Sequence, residues 1–109
     1  MCRYQTLYHN DKTGYAIRCT ECERIQIAYS NLVMTFNTED FDAFSYWIKK
    51  VKDEQSEHQN PNVRCIMIPA PCQGIQLLLS YIELEEMTNL LEVADTELRS
   101  LHLLGLFNK

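Results

Sequence analysis

A chain of 109 residues, 46% of them hydrophobic and 23% charged, has material for one core and, with three glycines and three prolines, little for long disordered stretches. No apolar run approaches the roughly 18 residues of a membrane-spanning helix, which excludes crossing a bilayer in that form. The net charge of −5 arises after position 30, because the first 30 residues carry four basic and three acidic side chains; a surface of that sign repels phosphates and argues against a nucleic-acid partner.

Arg3 to Tyr8 and Gly14 to Cys19 are rich in tyrosine, threonine and isoleucine and are separated by turn-forming residues from His9 to Thr13, which predicts a β-hairpin. After Cys19-Thr-Glu-Cys22, the stretch from Arg24 to Tyr29 alternates polar and apolar, the mark of a strand with one buried face. Ser30-Asn31 turns the chain into a partner strand, Leu32 to Phe36. Thr38 is then the expected N-cap of a helix, with Glu39 and Asp40 placed where the helix dipole favours negative charge. Phe41, Phe44, Trp47, Ile48 and Val51 fall on one side of that helix, which runs to about Gln55 before the polar run Glu54–Asn62 and Pro61 end it. Val63 to Ile68 and Ile75 to Tyr81 read as a second hairpin around Pro69-Ala-Pro71-Cys72-Gln-Gly74. From Glu83 a second helix begins. Asp95-Thr96 offers a point where it breaks into two, and Gly105 is the expected stop.

A partial repeat organises these elements. Cys22-Glu-Arg-Ile-Gln-Ile27 resembles Cys72-Gln-Gly-Ile-Gln-Leu77, and Phe41, Phe44, Trp47 and Ile48 match Leu84, Met87, Leu90 and Leu91 in type and spacing, though with a different offset. The expected architecture is an α+β fold, one antiparallel sheet with two helices on one face, either as two repeated hairpin-plus-helix units or as elements that merely share a common pattern. A single domain spans 1–109, with the N-terminal strands, the cysteine turn and the first helix in 1–55 and the second hairpin and C-terminal helix in 63–109.

The most specific chemistry is the pair Cys19 and Cys22. A tight turn between strands aims two thiolates at one Zn2+ but supplies only half of a tetrahedral shell. Cys2 and His9 lie on the strand that pairs back alongside Cys19, so Cys2, His9, Cys19 and Cys22 form a candidate Cys3His site for a structural zinc ion. Cys65 and Cys72 are the competing pair. The alternative is that these cysteines are small buried hydrophobes, and Glu21 and Glu23 add negative charge where a metal knuckle favours glycine or a cation. A catalytic dithiol needs its first cysteine at a helix N-terminus, whereas this pair leads into a strand. A thiol- or metal-dependent enzyme using Cys19 or Cys22, with His9, His58 or His102 as base, stays open as the alternative function. So does single-stranded nucleic-acid binding through Tyr4, Tyr8, Tyr15 and Tyr29 with Arg3, Arg18 and Arg24. Five cysteines, an odd number, and no apolar block at the N-terminus predict reduced thiols and a cytoplasmic location.

Leu84, Met87, Leu91, Ala94, Leu98 and Leu101 recur at intervals of three and four. This stripe is either core or the contact face for a protein partner or a homodimer.

The run Gly14-Tyr15, Cys19-x2-Cys22, Ile25-Gln26-Ile27-Ala28 and Asp40-Phe41, together with Leu90-Leu91-Glu92-Val93-Ala94-Asp95, resembles a family of small, uncharacterised bacterial proteins. The resemblance covers most of the chain. It implies a folded domain with a meaningful cysteine pair, and no catalytic residue. The function expected is a non-enzymatic protein-binding or regulatory domain with a structural zinc site.

Overall fold

Period-two alternation sets the first half of the fold. The computed structural model describes residues 3–55, 60–70 and 73–107, the last three as backbone only. In it β1 (Tyr4–Asn10), β2 (Gly14–Cys19), β3 (Ile25–Tyr29) and β4 (Leu32–Phe36) form one antiparallel sheet in the order β1-β2-β3-β4. Ile27 is flanked by Ala16 and Met34, and Ile25 pairs with Phe36. All of these are buried. On the opposite face Val33 and Thr35 are exposed, and the Tyr15 hydroxyl donates to Gln26 Oε1 at 2.9 Å. The register of β1 against β2 shifts between Thr6 and Tyr8, leaving Leu7 as the extra residue of a bulge. Leu7 is buried, so the bulge turns one more apolar side chain inward.

Helix α1 (Thr38–Glu54) is capped one residue earlier than expected: Asn37, not Thr38, is the N-cap, and its Oδ1 accepts the Asp40 N–H at 2.7 Å. Asn is as strong a cap as any, and here the side chain one position upstream reaches the orphan donor. Phe41, Phe44 and Ile48 are buried and Val51 packs against the core. Trp47 departs from the expected stripe; it is half exposed, with Lys50 Nζ 5.3 Å from its ring centroid. Phe36 meets Phe41 edge-on at 6.3 Å and Phe44 at 5.2 Å, which joins β4 to α1.

The second hairpin is shorter than its apolar runs, with β5 (Ile66–Pro69) and β6 (Gln76–Leu79) paired only with each other. The expectation of one shared sheet is therefore corrected to two sheets, one four-stranded and one two-stranded. Alternation specifies that a strand has a buried face, not which strand lies beside it. Ile66, Ile68, Leu77 and Leu79 face the core, while the cross-strand pair Met67 and Leu78 faces outward.

Helix α2 (Tyr81–Phe107) begins before Glu83, and neither the break at Asp95-Thr96 nor the stop at Gly105 occurs. Its start is a capping box, in which the Glu83 N–H donates to Ser80 Oγ at 3.1 Å and the Ser80 N–H to Glu83 Oε1 at 2.9 Å. Thr96 does not cap a new helix because its hydroxyl donates to the Glu92 carbonyl at 3.0 Å, the back-bond of a threonine inside a helix. Asp95 and Arg99 form an ion pair at 3.1 Å across the same turn.

The repeat has a structural counterpart. The match of 22–27 with 72–77 aligns the return strands β3 and β6, and the loops before them close alike, by Cys19 N–H to the Arg24 carbonyl at 2.9 Å and Ala70 N–H to the Ile75 carbonyl at 3.1 Å. Cys72 itself lies outside the described residues. After β3 the chain adds β4 before α1, whereas β6 leads directly into α2. The seven residues from Ser30 to Phe36 account for the unequal offset. Both helices pack on each other, α1 against β4 and α2 against β1, β2 and β6, around one buried cluster.

Candidate functional site

Three features stand out on this frame: the cysteine turn, a polar cleft beside the start of α2, and the far end of α2. In the turn, Cys19 closes β2 and residues 20 to 22 reverse the chain into β3. The Cys22 N–H points at Cys19 Sγ, 3.5 Å away, and the Glu23 N–H donates to the Cys19 carbonyl at 3.0 Å. Glu23 sits at φ +61°, a left-handed conformation that glycine adopts without steric cost. Cys19 is 1% exposed and Cys22 is exposed.

The other expected ligands divide. Cys2 lies outside the described residues. In the β1–β2 hairpin Cys19 pairs with Tyr4 but His9 pairs with Tyr15, so His9 sits at the opposite end. At about 3.3 Å per strand residue that is roughly 16 Å. The His9 side chain is solvated, with Nε2 3.5 Å from Asp11 Oδ1. The structure brings Cys19 and Cys22 to one turn and does not bring His9 to them. Among the described residues no group of three or more His, Cys, Asp or Glu side chains gathers as a metal cluster. Cys65 is exposed just before β5, and His102 is exposed on α2; Cys72 and His58 fall outside the described residues.

The tyrosines proposed as a base-stacking platform are engaged within the fold. Tyr29 is buried and donates to Glu86 Oε1 at 2.8 Å, Tyr15 donates to Gln26, and the Tyr8 hydroxyl lies 3.3 Å from Thr13 Oγ1. Arg18 bonds Gln5 at 3.1 Å and approaches Glu23 at 3.5 Å. Tyr4, by contrast, is exposed. Cross-strand packing accounts for this set without a ligand.

The polar cleft is lined by Lys12, Thr13, Tyr29, Ser30, Glu83 and Glu86 and encloses about 180 Å³. Arg64 grips Glu83 with two bonds, Nε to Oε1 at 2.9 Å and a second guanidinium nitrogen to Oε2 at 2.8 Å. Those hydrogen bonds hold the Glu83 carboxyl below the usual carboxylate range. Burial, reinforced by the hydrogen bond to Glu86, raises the Tyr29 phenol above its ordinary value. These residues join β3, the segment before β5 and the start of α2. The one available signal was Ser80-x-x-Glu83, a capping box inside what reads as the end of a strand.

The stripe on α2 is mostly core. Leu84 and Met87 are fully buried and Leu91 is 2% exposed, so these three cannot form a contact face, and the expectation that they do is corrected. Ala94 is the last fully buried residue, Leu98 and Leu101 pack partly against the core, and Leu103 and Leu104 are 57% and 56% exposed. At 1.5 Å per residue α2 is about 40 Å long, which outreaches the 26 Å cross-section of a molecule 51 Å long.

Comparison with known proteins adds a family and no activity. The chain belongs to DUF6686, a family of unknown function whose model matches residues 1–106. No curated protein and no solved structure matches it.

Proposed function

We propose that this member of a family of unknown function is a small protein-binding domain whose contact surface is the end of α2 beyond Thr96, and that this surface binds a second copy of the chain. The carrying observation is the sequence of that end: leucine fills four of the seven positions from Leu98 to Leu104. Those leucines do not share one face, since Leu98 and Leu101 turn toward the core while Leu103 and Leu104 turn away. Leu103 and Leu104 thus add a second, solvent-facing apolar strip beside polar Arg99, Ser100 and His102, and an apolar strip left in water favours being covered. Past Ala94 the helix runs on for about 20 Å, too short a piece to be stable in water without packing.

The strip is about 20 Å long and 10 Å wide, well below the ~800 Å² per partner of a standard interface. Self-association through it is therefore weak and concentration dependent. Among the described residues no helix is long and apolar enough to cross a membrane, so covering by lipid as a spanning helix does not compete. A metal ion at the Cys19–Cys22 turn would in this reading be structural, bracing the N-terminal hairpin away from the contact surface. Sedimentation velocity over a concentration series tests the reading. The weight-average sedimentation coefficient should rise with concentration for the wild type and stay flat for a Leu103→Glu, Leu104→Glu double variant. Equal rises in both proteins would place any contact elsewhere.

A further inference from the structure

We propose that the polar cleft between the hairpin turns and the first turns of α2 binds a small zwitterion, a free amino acid, with Lys12 taking its carboxylate and Glu86 its ammonium. The walls of the cleft are fixed by bonds among themselves. Asn10 Oδ1 accepts the Lys12 and Thr13 N–H groups, and the Ser30 N–H donates to the Thr13 carbonyl at 3.3 Å, so the β1–β2 and β3–β4 turns stand side by side. Tyr29, which also lines the cleft, is 6% exposed, and its hydroxyl steadies Glu86 by donating to Oε1 at 2.8 Å.

Which charges remain for a ligand follows from the bonds already made. Both oxygens of Glu83 are taken by Arg64, and Oε1 also accepts the Ser80 N–H, so that carboxylate is neutralised and committed to the helix cap. Glu86 is bonded by Tyr29 through Oε1, which leaves Oε2 with capacity to accept. Among the described residues the Lys12 ammonium makes no ion pair, although it lines the same cleft as Glu86. The cleft therefore offers one uncommitted charge of each sign, too far apart to pair directly. A simple cation meets repulsion from Lys12 and a simple anion from Glu86, whereas a molecule carrying both charges satisfies each. Hydroxyl oxygens of Tyr29 and Ser30 can accept the remaining ammonium protons. The size agrees: about 180 Å³ has room for about six non-hydrogen atoms at roughly 30 Å³ for each water-sized group, the scale of glycine, alanine or serine.

The cleft lies at the opposite end of α2 from Leu103 and Leu104, so binding there is independent of the contact surface. The test is a titration of the full chain with glycine and alanine, and with acetate and methylammonium as their half-molecules at matched ionic strength, read by backbone amide NMR shifts. Saturable shifts at the Thr13 and Ser30 amides are expected with both amino acids, with dissociation constants on the order of 1 mM for ligands of this size. Each half-molecule, and each of Lys12→Met and Glu86→Gln with glycine, should bind about tenfold more weakly or worse, the loss of one charged hydrogen bond. Glutamine at position 86 can still accept from Tyr29, and circular dichroism checks that both variants fold. Absence of saturable shifts at Thr13 and Ser30 in the folded wild type would overturn the site. Acetate or methylammonium binding as tightly as glycine, or glycine binding indifferent to either substitution, would overturn the zwitterion as its ligand.

Discussion

Replacing Gly14 with alanine perturbs the point where three strands meet. Gly14 pairs with Asn10 on one side and Tyr29 on the other and has φ +150°. A Cβ there would stand 1.9 Å from the Ala28 carbonyl oxygen and 2.9 Å from its carbon. An ordinary C···O approach is about 3.3 Å, so the β3 backbone would have to retreat by roughly 1.4 Å, and no flexible side chain can absorb the shift. Conformational strain of about 1–3 kcal/mol adds to overpacking of about 1–3 kcal/mol. The expected loss is about 4 kcal/mol, a large part of the ~5–15 kcal/mol that holds a domain together. Urea unfolding followed by far-ultraviolet circular dichroism should show it as a lower midpoint, with the melting temperature reduced by roughly 15–20 °C. A Gly14→Ala protein within about 0.5 kcal/mol of wild type, the range of a neutral surface change, would refute the close approach of β3 to Gly14.

Other substitutions separate core, clamp and surface. Leu91→Ala, at a side chain 2% exposed, should cost about 2–5 kcal/mol, while Leu103→Ala, 57% exposed, should change monomer stability by less than about 0.5 kcal/mol; urea midpoints at low protein concentration compare them. Glu83→Ala should cost about 1–2 kcal/mol by removing the oxygen that accepts the Ser80 N–H at the start of α2. Because Arg64 lowers the folded carboxyl's pKa, the Glu83 contribution is complete above the unfolded value near 4.3 and is lost as pH falls through the folded value, so the variant's stability should decline less steeply in acid. For Tyr29, whose phenol is raised by burial and by Glu86, the sign reverses. Its contribution is complete below about pH 10 and is lost as pH rises through the folded value, so Tyr29→Phe should flatten the alkaline limb of the stability profile.

Much of the fold is legible because local chemistry and burial agree. Ile25, Ile27 and Tyr29 alternate and do face inward, and His9 to Thr13 do turn the first hairpin, Asn10 Oδ1 accepting from the Lys12 and Thr13 N–H groups at 2.8 and 3.2 Å. What escapes is whatever depends on partners distant in sequence. Nothing local in Ile66 to Leu79 says that this hairpin stays out of the larger sheet. Tyr81 reads as the end of a strand because it is a β-former, yet Ser80 and Glu83 cap each other and pull it into α2. His9 looks like a neighbour of Cys19 when only the hairpin is known. Pairing Cys19 with Tyr4 sends His9 to the other end. Trp47 fits the helical stripe by spacing, but a stripe is wider than the groove it fills, and Trp47 falls at its exposed margin beside Lys50.

Amide hydrogen exchange along α2, measured at two widely separated protein concentrations, tests the contact surface most directly. Amides from Glu97 to Leu104 should gain protection as concentration rises, while those from Leu84 to Ala94, already inside the core, should not change. Exchange from Glu97 to Leu104 that is fast at both concentrations, or a gain in protection confined to another element, would contradict the assignment of the helix end as the surface where two copies meet.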